Sequence, residues 1–94
     1  MRYKILLNGQ NLLAEVEGCL QYLGFYTTRT VEASTEAEAE SLALDLIRRD
    51  KKLVQMMRNE ADDPPTFLIE EIVEIVEESE VRNTGFAFYL ETTM

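Results

Sequence analysis

The stretch Tyr3-Lys4-Ile5-Leu6-Leu7-Asn8-Gly9-Gln10-Asn11-Leu12-Leu13-Ala14-Glu15-Val16 decides how the fold is read. Asn-Gly between two apolar runs is a strong hairpin signal, because both residues accept the positive φ of a type I′ turn. This predicts strands over about residues 2–7 and 11–17, joined at Asn8-Gly9. In the second run Leu12, Ala14 and Val16 fall on one face, and Leu13, Glu15 and Glu17 on the other. Gly18-Cys19 is expected to end that strand.

Residues 24–33, Gly-Phe-Tyr-Thr-Thr-Arg-Thr-Val-Glu-Ala, are rich in β-branched and aromatic side chains and predict a third strand. Phe25, Thr27, Arg29, Val31 and Ala33 share one face; Tyr26, Thr28, Thr30 and Glu32 share the other, wetter one. A helix is then expected from Ser34 or Thr35, with Thr35 and Glu38 at capping-box spacing. Ala39, Leu42, Ala43, Leu46 and Ile47 make its apolar stripe. Continuing that stripe would bury Asp50. A break is inferred there, with Asp50 capping a second short helix over residues 51–58 whose Leu53, Val54 and Met57 face inward.

Residues 66–78 fit two readings. Leu68, Ile69, Ile72, Val73 and Val76 match helical spacing, yet Phe67, Ile69, Ile72, Val73, Ile75 and Val76 are strand formers. Alternating Phe86, Phe88 and Leu90 predict a strand over 85–91, which a preceding strand would complete by pairing with it, so strand is preferred for 66–78. The polar segment from Asn59 to Pro65 reads as a loop. The expected fold is a single α+β domain over residues 1–94. It is a two-layer sandwich of order β-β-β-α-α-β-β, with a mostly antiparallel sheet and helices on one face.

Composition narrows the chemistry. The chain has no histidine and one cysteine, Cys19, so His-based nucleophile pairs, an intramolecular disulfide and Cys-rich metal sites have no residues to form from. The apolar run Ile5–Leu7 is too short for a signal-peptide core, and a lone thiol fits a reducing cytoplasm, the expected location. Nine basic against 18 acidic residues leave a net charge of −9, which repels nucleic acid on average, and no run resembles a membrane span. Charge is segregated: Arg48, Arg49, Lys51 and Lys52 cluster, while Glu60 to Glu80 carries nine acids and no base. That polarity suits a basic protein partner at one end, or simply keeps a small protein soluble.

The order hairpin, third strand, helix, strand, with Glu17-Gly18-Cys19 and Thr35-Glu36-Ala37-Glu38-Ala39, is similar to the small HicB-like antitoxin domain over roughly residues 3–50. The resemblance implies an antitoxin or regulatory subunit that neutralises a basic partner. The stretch Tyr26-Thr27-Thr28-Arg29 and the acidic segment depart from that pattern. Gly24 to Ala33 and the later Asp63-Pro64-Pro65 also look like small bacterial proteins, which implies a bacterial source.

Several residue groups carry candidate chemistry, each beside a plainer explanation. Glu70, Glu71, Glu74, Glu77, Glu78 and Glu80, with Asp62 and Asp63, could offer oxygen ligands to Mg²⁺ or Ca²⁺, or form a solvated face that discourages edge pairing. Cys19 follows Glu15 and Glu17 with no base adjacent, and reads as a small, partly buried packing residue, not an activated thiol. Tyr26, Thr28 and Arg29 make a polar strip suited to a partner, although Arg29 lies on the face of Phe25 and Val31 and could instead pair with an acid. Arg48, Arg49, Lys51 and Lys52 could hold an acidic group, or merely close a helix end. Phe86, Phe88 and Tyr89 suit core or dimer packing.

No cofactor is expected. The preferred expectation is a non-catalytic protein–protein interaction module, a homodimer acting through its sheet or an edge. The alternatives are the antitoxin-like subunit and a carboxylate-based, metal-dependent enzyme.

Overall fold

The computed structural model describes residues 1–76 and 85–91. Strand β1 (Arg2–Val16) runs unbroken through Asn8-Gly9 and pairs antiparallel with β2 (Cys19–Glu32), from Arg2↔Glu32 to Val16↔Cys19. The chain reverses at Glu17-Gly18, whose φ values of 52° and 83° are both positive, as a two-residue primed turn demands. The hairpin expected at Asn8-Gly9 is therefore corrected, and two predicted strands are one. Gly9 serves a different need: it lies opposite Phe25, and a Cβ there would come within 2.0 Å of that ring.

The register shifts between Gly9 and Leu12, where Asn11 takes φ 60°. This bulge inserts one residue and resets the alternation of side chains. As a result Tyr3, Ile5 and Leu7 before it, and Leu12 and Ala14 after it, are all buried on the same face.

Strand β3 (Thr66–Ile75) pairs antiparallel with β1, and β4 (Ala87–Leu90) with β2, giving the sheet order β3-β1-β2-β4. Strand is thus the state of residues 66–75, while Glu77 and Glu78 lie outside the described residues. The pairing expected between this strand and the last one is not found, since β3 and β4 occupy opposite edges. A bulge at Glu70, where Leu7 pairs Ile69 and Leu6 pairs Glu71, turns Phe67, Ile69 and Ile72 all toward the core. The element order is β-β-α-α-β-β, and the last strand is shorter than the 85–91 expected.

Helix α1 (Glu36–Arg48) starts at a capping box: Thr35 Oγ1 accepts from the Glu38 N–H at 3.1 Å, and Glu38 Oε1 accepts from the Ser34 N–H at 3.2 Å. Ala39, Ala43 and Ile47 are buried against the sheet. Leu42 and Leu46, expected in the same stripe, are 39% and 45% exposed. The helix faces the sheet along Ala39, Ala43 and Ile47 at i, i+4, i+8, where the two alanines let it lie close, and this turns the two leucines to one flank. Helix α2 (Lys51–Met56) begins at the expected break, with Asp50 Oδ1 accepting from the Leu53 N–H at 3.0 Å. Leu53 is buried, but Val54 is exposed, against expectation. Both helices cover one face of the antiparallel sheet, so the fold is an α+β two-layer sandwich.

Candidate interaction surface

Opposite the helices lies the other face of the sheet, and no described element covers it. Strand alternation and register place Lys4, Leu6, Asn8 and Leu13 of β1 on this face, with Tyr22, Tyr26, Thr28 and Thr30 of β2 beside them. From β3 come Leu68, Glu71 and Val73, and from β4 come Ala87 and Tyr89. Tyr22, Tyr26, Leu68, Val73 and Tyr89 are large and exposed. These aromatic and aliphatic side chains therefore face water together in one layer.

A polar lattice stiffens the centre of this face. Tyr89 crosses over Gly24, where a Cβ would come within 2.1 Å of its ring, and reaches β1. There Asn8 Nδ2 donates to Tyr89 Oη at 2.9 Å and to the Phe25 carbonyl at 3.0 Å, while Gln10 Nε2 donates to Asn8 Oδ1 at 2.7 Å. Asn8 is only 2% exposed although it lies on the uncovered face. The Tyr26 ring sits 5.7 Å from that of Tyr89. A groove of about 400 Å³ opens beside this lattice, bordered by Leu6, Tyr26, Thr28 and Ala87.

A second polar cluster anchors the β1 bulge. Asn59 acts as a stand-in strand: its Oδ1 accepts from the Leu13 N–H at 2.8 Å and its Nδ2 donates to the Asn11 carbonyl at 2.7 Å. Asn11 Nδ2 donates to Asp63 Oδ1 at 2.8 Å, the Tyr22 hydroxyl donates to Asp63 Oδ2 at 2.8 Å, and Glu91 Oε1 accepts from the Asn11 N–H at 2.9 Å. The bonds from Asn11 and then Tyr22 hold the Asp63 carboxyl below its ordinary pKa, and the same carboxylate raises the Tyr22 phenol. The loop expected over 59–65 is thus a clamp on the bulge.

The residues expected to meet a partner divide between layers. Tyr26 and Thr28 lie on the uncovered face, the first exposed and the second half-buried. Arg29 points the other way and is buried: its Nη1 donates to Thr27 Oγ1 at 2.6 Å and to the Thr28 carbonyl at 2.9 Å, and its Nη2 stands 3.7 Å from Asp50 Oδ2. Its Cζ lies 5.2 Å from the centre of the Phe86 ring. Burial pushes its pKa down and Asp50 opposes that shift. Of the two roles open to Arg29, pairing with an acid is the one found. Arg48, Arg49, Lys51 and Lys52 are exposed at the α1–α2 junction, in the helical layer, so they form no common site with Tyr26 and Thr28. Arg48 borders a groove of about 560 Å³ with Met57, Pro65 and Phe67.

Cys19 is exposed beside the hairpin turn, a correction to its expected packing role. Glu70, Glu71 and Glu74 are exposed along β3; Glu77, Glu78 and Glu80 lie outside the described residues. Among the described residues, no three acidic or cysteine side chains converge where a metal ion could sit, and no helix is long and apolar enough to cross a membrane. Sequence reasoning missed the bridging roles of Asn8 and Asn59 and read Tyr89 only as a packing residue, because their hydrogen-bond partners are remote in sequence and carry no local signal. No family model, curated protein or solved structure matches this chain.

Proposed function

We propose that this protein is a non-catalytic protein–protein interaction module that works as a homodimer and presents its uncovered sheet face to a protein partner. The observation that carries this reading is the uncovered face itself, with Tyr26, Leu68, Val73 and Tyr89 exposed over a lattice centred on Asn8. Rigid aromatic side chains on a hydrogen-bonded scaffold give contact area with little ordering cost. The test combines light scattering on the full chain with affinity capture by wild type and by the double variant Leu68→Asp/Val73→Asp. A dimer at micromolar concentration, and a bound protein lost in the variant, are expected. A monomer would remove the dimeric part, and unchanged capture would remove the face.

A second reading, an antitoxin-like or regulatory subunit neutralising a basic protein, is favoured by Glu70, Glu71 and Glu74, all exposed on one edge strand. Complementary charge there would speed association with a basic partner. Binding that weakens steeply with salt and with Glu71→Lys is expected; salt-independent binding would refute it.

A further inference from the structure

The two edges of the sheet differ in a way that decides where a second copy can join. β3 carries Glu70, Glu71 and Glu74 and a bulge at Glu70, the devices that keep an edge from pairing. The stretch Phe86-Ala87-Phe88-Tyr89-Leu90 along β4 has no charge, no proline and no register shift. Leu90 is 56% exposed at this edge.

The hydrogen-bond phase of β4 is set by its inner side. The Glu91 N–H donates to the Tyr22 carbonyl at 3.0 Å. Backbone groups alternate along an antiparallel strand, so Tyr89 and Ala87 also face β2, while Phe86, Phe88 and Leu90 turn their N–H and C=O groups outward.

We propose that a second copy pairs antiparallel with β4 across a two-fold axis at Phe88, continuing the sheet from one protomer into its partner. This deepens, and rests on, the homodimer reading above. With Phe88 on the axis, Phe86 faces Leu90 of the partner and both outward-facing residues meet outward-facing residues, so the backbone bonds are made in register. Core-facing Phe86, Phe88 and Leu90 meet their own kind on one side of the joint sheet, and Glu91 falls opposite Gly85, so no like charges are opposed.

Neighbouring surface supports the same side. An apolar groove of about 340 Å³, bordered by Val16, Leu23, Met56, Phe88 and Leu90, opens along β4. The apolar strip available to the partner therefore reaches from β4 to Leu23 of β2 and Met56 of α2, and the two uncovered faces merge into one platform.

The test is sedimentation velocity on the full chain from micromolar to submillimolar concentration, with residue-resolved amide exchange. The expected result is a dimer in which the Phe88 and Leu90 amides exchange more slowly as concentration rises. Leu90→Pro removes an outward N–H while sparing the inward ladder, and should weaken association at least about tenfold. The Ala87 and Tyr89 amides should stay protected in that variant, which shows that it still folds; if it does not fold, exchange in the wild type decides alone. A dimer whose Phe88 and Leu90 amides stay fast at every concentration would overturn the β4 junction and leave the homodimer standing. A monomer throughout would overturn both.

Discussion

Phe25 lays its ring across Gly9, its cross-strand partner, so closely that a Cβ on Gly9 would meet the ring at 2.0 Å. Phe25 is fully buried and touches Phe67, Phe86 and Phe88, with ring centroids 6.1, 5.1 and 5.9 Å away. The aromatic hub of the core thus depends on a residue with no side chain. Gly9→Ala is expected to destabilise the protein by about 1–3 kcal/mol, through overpacking that the hub cannot relax. Chemical denaturation measures it. In a double-mutant cycle with Phe25→Leu the alanine should cost much less; an equal cost in both backgrounds would contradict the steric account.

Tyr89 repeats the arrangement on the other face, lying over Gly24 and accepting from Asn8. Tyr89→Phe should cost about 0.5–1.5 kcal/mol, because Asn8 Nδ2 keeps its bonds to two backbone carbonyls. Gly24→Ala should displace the ring and speed exchange of the Asn8 side-chain amide, read by NMR. An unchanged amide would show that the ring moves without releasing it.

Asp50 serves two groups with one carboxylate: Oδ1 caps α2 and Oδ2 faces the buried Arg29. Asp50→Ala is expected to destabilise by about 1–2 kcal/mol from the lost cap alone, and more if the desolvated guanidinium depends on its acid. Asp50→Ser separates the two, since serine caps without charge. Stability close to wild type in the serine variant would assign the effect to the cap; a loss like that of alanine would assign it to Arg29.

The Asp63 carboxyl titrates below its ordinary value because Asn11 and Tyr22 bond its charged form. A depressed folded-state pKa contributes stability above the unfolded value, about pH 3.9, that is lost as pH falls through the folded value. The bulge clamp should therefore loosen only in acid, below about pH 4. Tyr22→Phe should raise the Asp63 pKa part of the way, since Asn11 is the larger cause, and Asn11→Ala should raise it further. Carboxyl-carbon NMR titration checks that order.

Glu17 holds a left-handed conformation, φ 52°, at the first turn position of the β1–β2 hairpin. Asparagine tolerates that region better than glutamate, so Glu17→Asn should stabilise by up to about 1 kcal/mol. Thermal unfolding tests it, and a neutral result would mean that the turn imposes no strain.

Local signals in the chain are sufficient for the α1 capping box, the Asp50 break and the core-facing side of β2, whereas strand at Thr66–Ile75 is reached only through an expected pairing with the last strand that the sheet order does not contain. The first three depend on neighbours a few residues apart, where spacing and propensity act directly. Asn8-Gly9 reads as a hairpin turn because such a dipeptide can meet either of two demands: positive φ for a turn, or an absent Cβ for an approaching ring. Only the position of Phe25 across the sheet selects the second. The true turn at Glu17-Gly18 carries a weaker local signal, since glutamate is not a usual residue at a positive-φ turn position, and Gly18-Cys19 reads only as a strand end. Which residues form the uncovered face, why Asn8 is buried upon it, and which edge keeps its charges depend on register and on two bulges. Those features arise from pairing between distant segments, and each bulge reverses the facing of every residue beyond it.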